Sequence, residues 1–243
     1  MEASTVEVYL DFFHVALAWA KDQKFLPEVP KFPTIKVPKK DPQPVPSESF
    51  ERLLLKAGDD LQMRAYLLCG WLAGLRLAEA LALEWEESEE VPYLDLDRGR
   101  IILPAKFVKA VKPQWLPLDP ILREALLRLP RHGRKVFQFT DQAGRPIAAL
   151  AVSHRVVKLA KEAGVKLTMK TLRKGFGCYY ASRVPAQVLQ KLMRHADIKT
   201  TMAYYANVDD AVEQAVLSRH CNSSCDTPSR SATITEASEG AGT

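Results

Sequence analysis

The sequence predicts a mainly α-helical protein that also carries three short β-strands. Apolar residues recur at helical spacing through most of the chain. Between residues 93 and 118, three short runs are punctuated by turn signals at 97–99 and 109–113. The most apolar stretch, residues 65–83, contains Arg76 and Glu79, each costly in lipid, so it reads as a buried helix pair and not as a membrane span.

The elements follow in order. Residues 6–24 place Val8, Leu10, Phe12, Phe13, Ala16, Leu17, Trp19 and Ala20 at helical spacing. Seven prolines between Pro27 and Pro46, interleaved with lysines, predict an extended, semi-rigid linker. A helix begins at Ser47, with Ser47 or Ser49 as its cap and Glu51 in its first turn. Helices over 61–69 and 77–83 come next, with Gly70 and Gly74 marking the bend between them. Strands are expected at 93–97, 100–104 and 114–118. Helices are then expected at 120–129, 152–163, 171–182, 185–193, 200–205 and 209–217. Beyond Asn222 the chain is Ser, Thr, Gly and Glu with almost no apolar residue, which predicts a disordered tail.

Composition sets the class. With 47% hydrophobic and 26% charged residues in 243, the chain has the proportions of an ordinary globular protein. No disulfide or metal staple is needed to explain folding at this size. Lys and Arg outnumber Asp and Glu by 34 to 29, and the pI is near 9.0, which fits a nucleic-acid partner without requiring one. Residues 84–90 are acidic and 155–174 basic, so one basic face is expected. Cys69 and Cys178 read as small core residues, which suits a reducing compartment. His220, Cys221 and Cys225 are a fragment of a metal site without a second ligand pair. Glu2 and Glu7 stand where a signal peptide would be basic, so none is expected.

Three polar clusters interrupt the apolar pattern. Arg76 follows Gly74 and Leu75, opens a helix and lies three residues before Glu79. It can offer a fixed guanidinium fork to a phosphate, or simply pair with Glu79 on a helix surface. Lys170 and Arg173 are three apart, so they share a helix face that could be merely solvated. The third cluster runs through Met193, Arg194, His195, Thr200, Thr201, Tyr204 and Tyr205.

Taken together, these clusters resemble the boxes of the tyrosine recombinases, the phage-integrase family. Gly74-Leu75-Arg76 with Glu79 resembles the first arginine box. Thr171-Leu172-Arg173 resembles the second, with Lys170 where most members have histidine. The run from His195 to Tyr204 is similar to the closing box, whose nucleophile lies nine residues after the histidine. That register selects Tyr204, with Tyr205 one step out. Arg194 stands where the family usually has glycine. Leu116-Pro117-Leu118 resembles a strand that follows the family's hairpin lysine by eight residues, which points to Lys109, with Lys106 and Lys112 as alternatives.

The resemblance spans roughly residues 41–215 and implies much more than the residues alone. It implies a helical catalytic domain with a small antiparallel β-sheet of three strands. Residues 41–217 would form that domain, residues 1–40 would be a remnant of the helical core-binding domain plus linker, and 218–243 a tail. The implied activity is site-specific cutting and rejoining of double-stranded DNA through a 3′-phosphotyrosyl link, with neither metal nor ATP. Arg76, Arg173, Lys170 and His195 would bind the phosphate, Lys109 would protonate the leaving 5′-oxygen, Tyr204 would attack, and Glu79 would orient its neighbours. Four copies would meet on DNA at synapsis, in the cytoplasm at the nucleoid. A type IB topoisomerase-like enzyme and a non-catalytic DNA-binding remnant of a mobile element are the competing readings.

Overall fold

The computed structural model describes residues 2–33, 35–36, 41–108 and 112–205. Lys109, the helix expected at 209–217, His220, Cys221, Cys225 and the tail lie outside the described residues. The chain divides into two units, Met1–Asp41 and Pro42–Thr243.

The first unit is built on α1 (Ala3–Asp22), which buries none of its residues. Val8, Tyr9, Phe12, Phe13, Val15 and Trp19 are all exposed along it. The proline-rich stretch after it is not simply extended. Phe32 returns to the helix and meets Phe13 edge-on with ring centroids 5.8 Å apart.

The second unit is organised around α3 (Leu61–Leu72). Asp60 caps it by accepting a 2.9 Å hydrogen bond from the Met63 amide. Met63 and residues 65–70 are buried, so the helix is apolar on nearly every side, as an element surrounded by others must be. It packs on α6 (Pro120–Leu127) and α8 (Met169–Ala181), while α2 (Ser47–Lys56) lies against α7 (Ala149–Glu162). The short helix α4 (Leu77–Leu81) follows the Gly74 turn.

Strands β1 (Tyr93–Asp95), β2 (Arg100–Leu103) and β3 (Gln114–Pro117) form one antiparallel sheet in that order. Ile101, Leu103 and Leu116 alternate inward, as the period of two requires. The expected fold class is thus the observed one: mainly helical, with a small three-stranded antiparallel sheet. Helices α9 (Ala186–Met193) and α10 (Ile198–Met202) close the described chain.

Local differences have identifiable causes. Gly70 does not bend the chain. It sits inside α3, where a Cβ would stand 3.1 Å from Met169 Cε and 3.2 Å from Leu172 Cβ, so its role is to let α8 approach. Gly74 does turn the chain, at φ +55°. Neither serine caps α2, because Pro46 is the residue before its first turn and no side chain caps it. A short helix, α5 (Ala105–Val108), stands between β2 and β3 and was not expected; the Pro104 carbonyl accepts from Phe107 and Val108.

Candidate active site

The site is assembled where the α3–α4 turn meets α8 and the turn after α9. At the start of α4, the Arg76 amide donates to Glu79 Oε2 at 2.7 Å and its Nη1 donates to Glu79 Oε1 at 2.6 Å. The pairing with Glu79 is therefore present, though with a buried carboxylate and not on an open helix surface, and the Arg76 side chain remains 45% exposed. Glu79 itself is buried. Burial alone would raise its carboxyl pKa, but Arg194 and Arg76 outweigh that and hold it below the ordinary value.

Arg173 projects from the middle of α8 and is buried. Its guanidinium donates to the Gly74 and Met193 carbonyls, which ties the Gly74 turn to the end of α9. Burial, together with Arg194 and Arg76, lowers its pKa to about 9, so it stays charged at neutral pH.

Arg194 stands where the resemblance leads one to expect glycine. It ends α9 in the left-handed region, at φ 54° and ψ 47°, which accounts for glycine being usual there. Its side chain is 1% exposed and does not face solvent. It donates to Glu79 Oε2 at 2.7 Å and to the Gly74 carbonyl at 3.0 Å.

His195 follows directly. Its Nδ1 lies 3.0 Å from the hydroxyl of the buried Thr201, and its ring stacks on Tyr204 with centroids 5.9 Å apart. Burial, then the three arginines, lower its pKa to about 4, so the imidazole is neutral at physiological pH. Tyr204 packs with Phe176, Ala181, Leu189 and Met193 and is 8% exposed. Burial raises its phenol pKa, and Arg173 works against the rise. Tyr205 is held elsewhere, with its hydroxyl donating to the Val184 carbonyl.

The structure thus brings Arg76, Glu79, Arg173, His195 and Tyr204 together from separate segments of the chain. It does not do the same for every candidate. Lys170 is exposed in the first turn of α8 and makes no hydrogen bond or ion pair among the described residues. Lys106 pairs with Glu90 on the surface, and Lys112 is exposed. Thr201 belonged to the third cluster but was given no role of its own, and the burial of Arg194 was not anticipated. Among the described residues, no group of three or more His, Cys, Asp or Glu is placed to hold a metal, and no helix is long and apolar enough to cross a membrane.

An arginine–glutamate–histidine–tyrosine cluster in a helical domain with a three-stranded sheet is the arrangement the sequence resemblance implies, and comparison with known proteins bears on its family and fold. Residues 46–211 match the Phage integrase family, and the chain belongs to that family. It is 30% identical over 178 residues to Tyrosine recombinase XerC of Xanthomonas campestris, covering 70% of this chain and 52% of that protein. It is 24% identical over 200 residues to Tyrosine recombinase XerA of Pyrococcus horikoshii, covering 78% and 67%. The chain thus spans about half the length of the XerC relatives it matches. Among solved structures, the Tn1549 transposon integrase in complex with circular intermediate DNA superposes with a TM-score of 0.66 at 17% identity, covering 89% of this chain and 79% of that one. A lambda integrase dimer bound to a core site gives 0.64 at 14% identity, covering 83% and 73%. These last two likenesses concern the fold.

Proposed function

We propose that this chain carries the catalytic domain of a site-specific DNA recombinase, with Tyr204 as its nucleophile. The observation that carries the reading is the meeting of Arg76, Arg173, His195 and Tyr204, with the buried Glu79 bonded to Arg76 and Arg194. Residues 42–205 hold this cluster, residues 1–40 would belong to a separate DNA-clamping part, and residues after 217 would be a tail.

The chemistry follows from the charges. Three arginines against one glutamate leave net positive charge where a phosphodiester would sit. A phosphorane-like transition state gains negative charge, and a guanidinium fixed beforehand stabilises it without reorganising. Arg76 has the exposure to meet the phosphate directly, and Arg173 adds its field from behind at short range. The Tyr204 phenol would lose its proton, to the neutral His195 or to water, as its oxygen bonds to phosphorus. The bond to the 5′-oxygen breaks, and that oxygen leaves as an alcohol after taking a proton, for which Lys109 is the candidate. The resulting 3′-phosphotyrosyl ester conserves the bond energy for rejoining. Lys170 would approach the phosphate from the first turn of α8 once DNA is bound.

The partner would be double-stranded DNA, with four copies of the whole protein at synapsis. The assay is SDS-stable adduct formation on a library of randomised, nicked duplexes from which the cleaved fragment escapes. The unaltered chain is expected to form an adduct that Tyr204→Phe abolishes and Tyr205→Phe retains. An adduct surviving Tyr204→Phe would move the nucleophile. Duplex binding without any adduct would leave a DNA-binding remnant, and relaxation of plasmid by a monomer would indicate a topoisomerase-like enzyme.

A further inference from the structure

Arg194 occupies a costly position twice over. Its backbone lies in the left-handed region that favours glycine, and its guanidinium is withdrawn from water. One of its donors, Nε, is buried with no hydrogen-bond partner among the described residues. A residue held at such cost requires a return, and the terminal nitrogens show where it lies. Nη1 donates to the Leu192 carbonyl at 2.9 Å, and Nη2 is shared between the Gly74 carbonyl and Glu79 Oε2. In the opposite direction, Arg76 Nη2 donates to the carbonyl of Arg194 itself at 3.2 Å.

The two arginines therefore hold each other's segments, with Glu79 divided between them. Glu79 Oε1 serves the Arg76 side chain, while Oε2 serves the Arg76 amide and Arg194. We propose that Arg194 is a positioning residue, a latch that fixes Glu79 and the Gly74 turn so that Arg76 presents its guanidinium outward to the scissile phosphate. Without this competitor, Arg76 would be the sole cation on Glu79. Its fork would be free to close on both carboxylate oxygens, drawing it away from the open side. Arg194 does not touch the phosphate, because its side chain has no exposed surface to offer. The latch also fixes the backbone immediately before His195, so the arginine and histidine parts of the site move as one unit. This inference rests on the recombinase reading and deepens it.

The test uses Arg194→Gly, which suits the left-handed backbone, with Arg194→Lys, Glu79→Gln and the double variant Arg194→Gly/Glu79→Gln. Single-turnover adduct formation on a duplex recovered from the library is measured beside equilibrium affinity for the same duplex. Arg194→Gly is expected to slow adduct formation by about 100-fold, the cost of a misaimed catalytic group, while affinity changes by less than about threefold. Arg194→Lys keeps the charge but cannot reach three acceptors at once, so it should recover only part of the rate. The double variant should be no slower than the slower single, since both break one linkage. An unchanged rate in Arg194→Gly would overturn the proposal, as would losses that multiply in the double variant. A fall in affinity matching the fall in rate would make Arg194 a direct phosphate contact and overturn it as well. If the unaltered chain forms no adduct, the recombinase reading fails separately, and the melting temperatures of the unaltered chain, Arg194→Gly, Glu79→Gln and the double variant decide the latch: non-additive shifts support it and additive shifts reject it.

Discussion

The interior around α3 and the smaller cluster around Tyr204 are held by different physics. In the first, Leu53, Tyr66, Leu67, Leu75, Leu122 and Leu126 are fully buried, and non-directional apolar contact does the work. In the second, five buried residues form the apolar cluster among the described residues, and a set of arginine bonds to Glu79, Gly74 and Met193 helps fasten it to the larger interior. Area tolerates small shifts, whereas a guanidinium fork does not. The candidate site is built from the less tolerant material, which suits the proposed task of holding a phosphate in fixed geometry.

The comparison can be broken at its strongest point first. Glu79→Leu would leave Arg194 buried without its counter-ion and should cost about 3–5 kcal/mol, read from chemical denaturation. Glu79→Gln, which keeps shape and hydrogen bonding, should cost less; equal costs would mean that charge is not what holds the site. Leu67→Ala empties space beside α3 and should cost about 2–5 kcal/mol, with the spread set by how far neighbours collapse. Gly177→Ala is smaller, about 1–3 kcal/mol, because the new methyl would stand 2.7 Å from Tyr204 Cδ1 and the ring must give way. Asp60→Ala removes the cap of α3 and should cost about 1 kcal/mol without altering the site.

Acid should separate the two regions further. His195 has a folded pKa of about 4 against an ordinary 6.5, so the unfolded chain binds the extra proton between those values and stability falls as pH drops through that window. Glu79, whose folded pKa is depressed, contributes stability above its unfolded value that is lost as pH falls further. Melting temperature should therefore decline from neutral pH toward pH 4, and His195→Gln should flatten the upper part of that decline. An equal decline in the variant would assign the acid sensitivity to other groups.

What the sequence made legible depended on range. The helix period exposed α3, α6, α7, α8 and α9, because each buries a face large enough to leave a pattern. Helix α5 left none, being four residues long. Gly70 was misread as a bend since its reason is Met169 and Leu172, about a hundred positions away. The nine-residue register from His195 singled out Tyr204, but the bond that occupies Tyr205, to Val184, has no sequence signature. Arg194 could be seen to be unusual; that its side chain turns inward to Glu79 is a tertiary fact.

Gly177 has a further consequence. The bare backbone of α8 at that position leaves a recess in which the Tyr204 ring lies against the helix, beside Met193 and His195. The Tyr204 ring is thus largely enclosed, while Tyr205, one residue on, is tied separately to the Val184 carbonyl. If Tyr204 is the nucleophile, the missing methyl at Gly177 sets the seat of the attacking ring as well as the packing of α8.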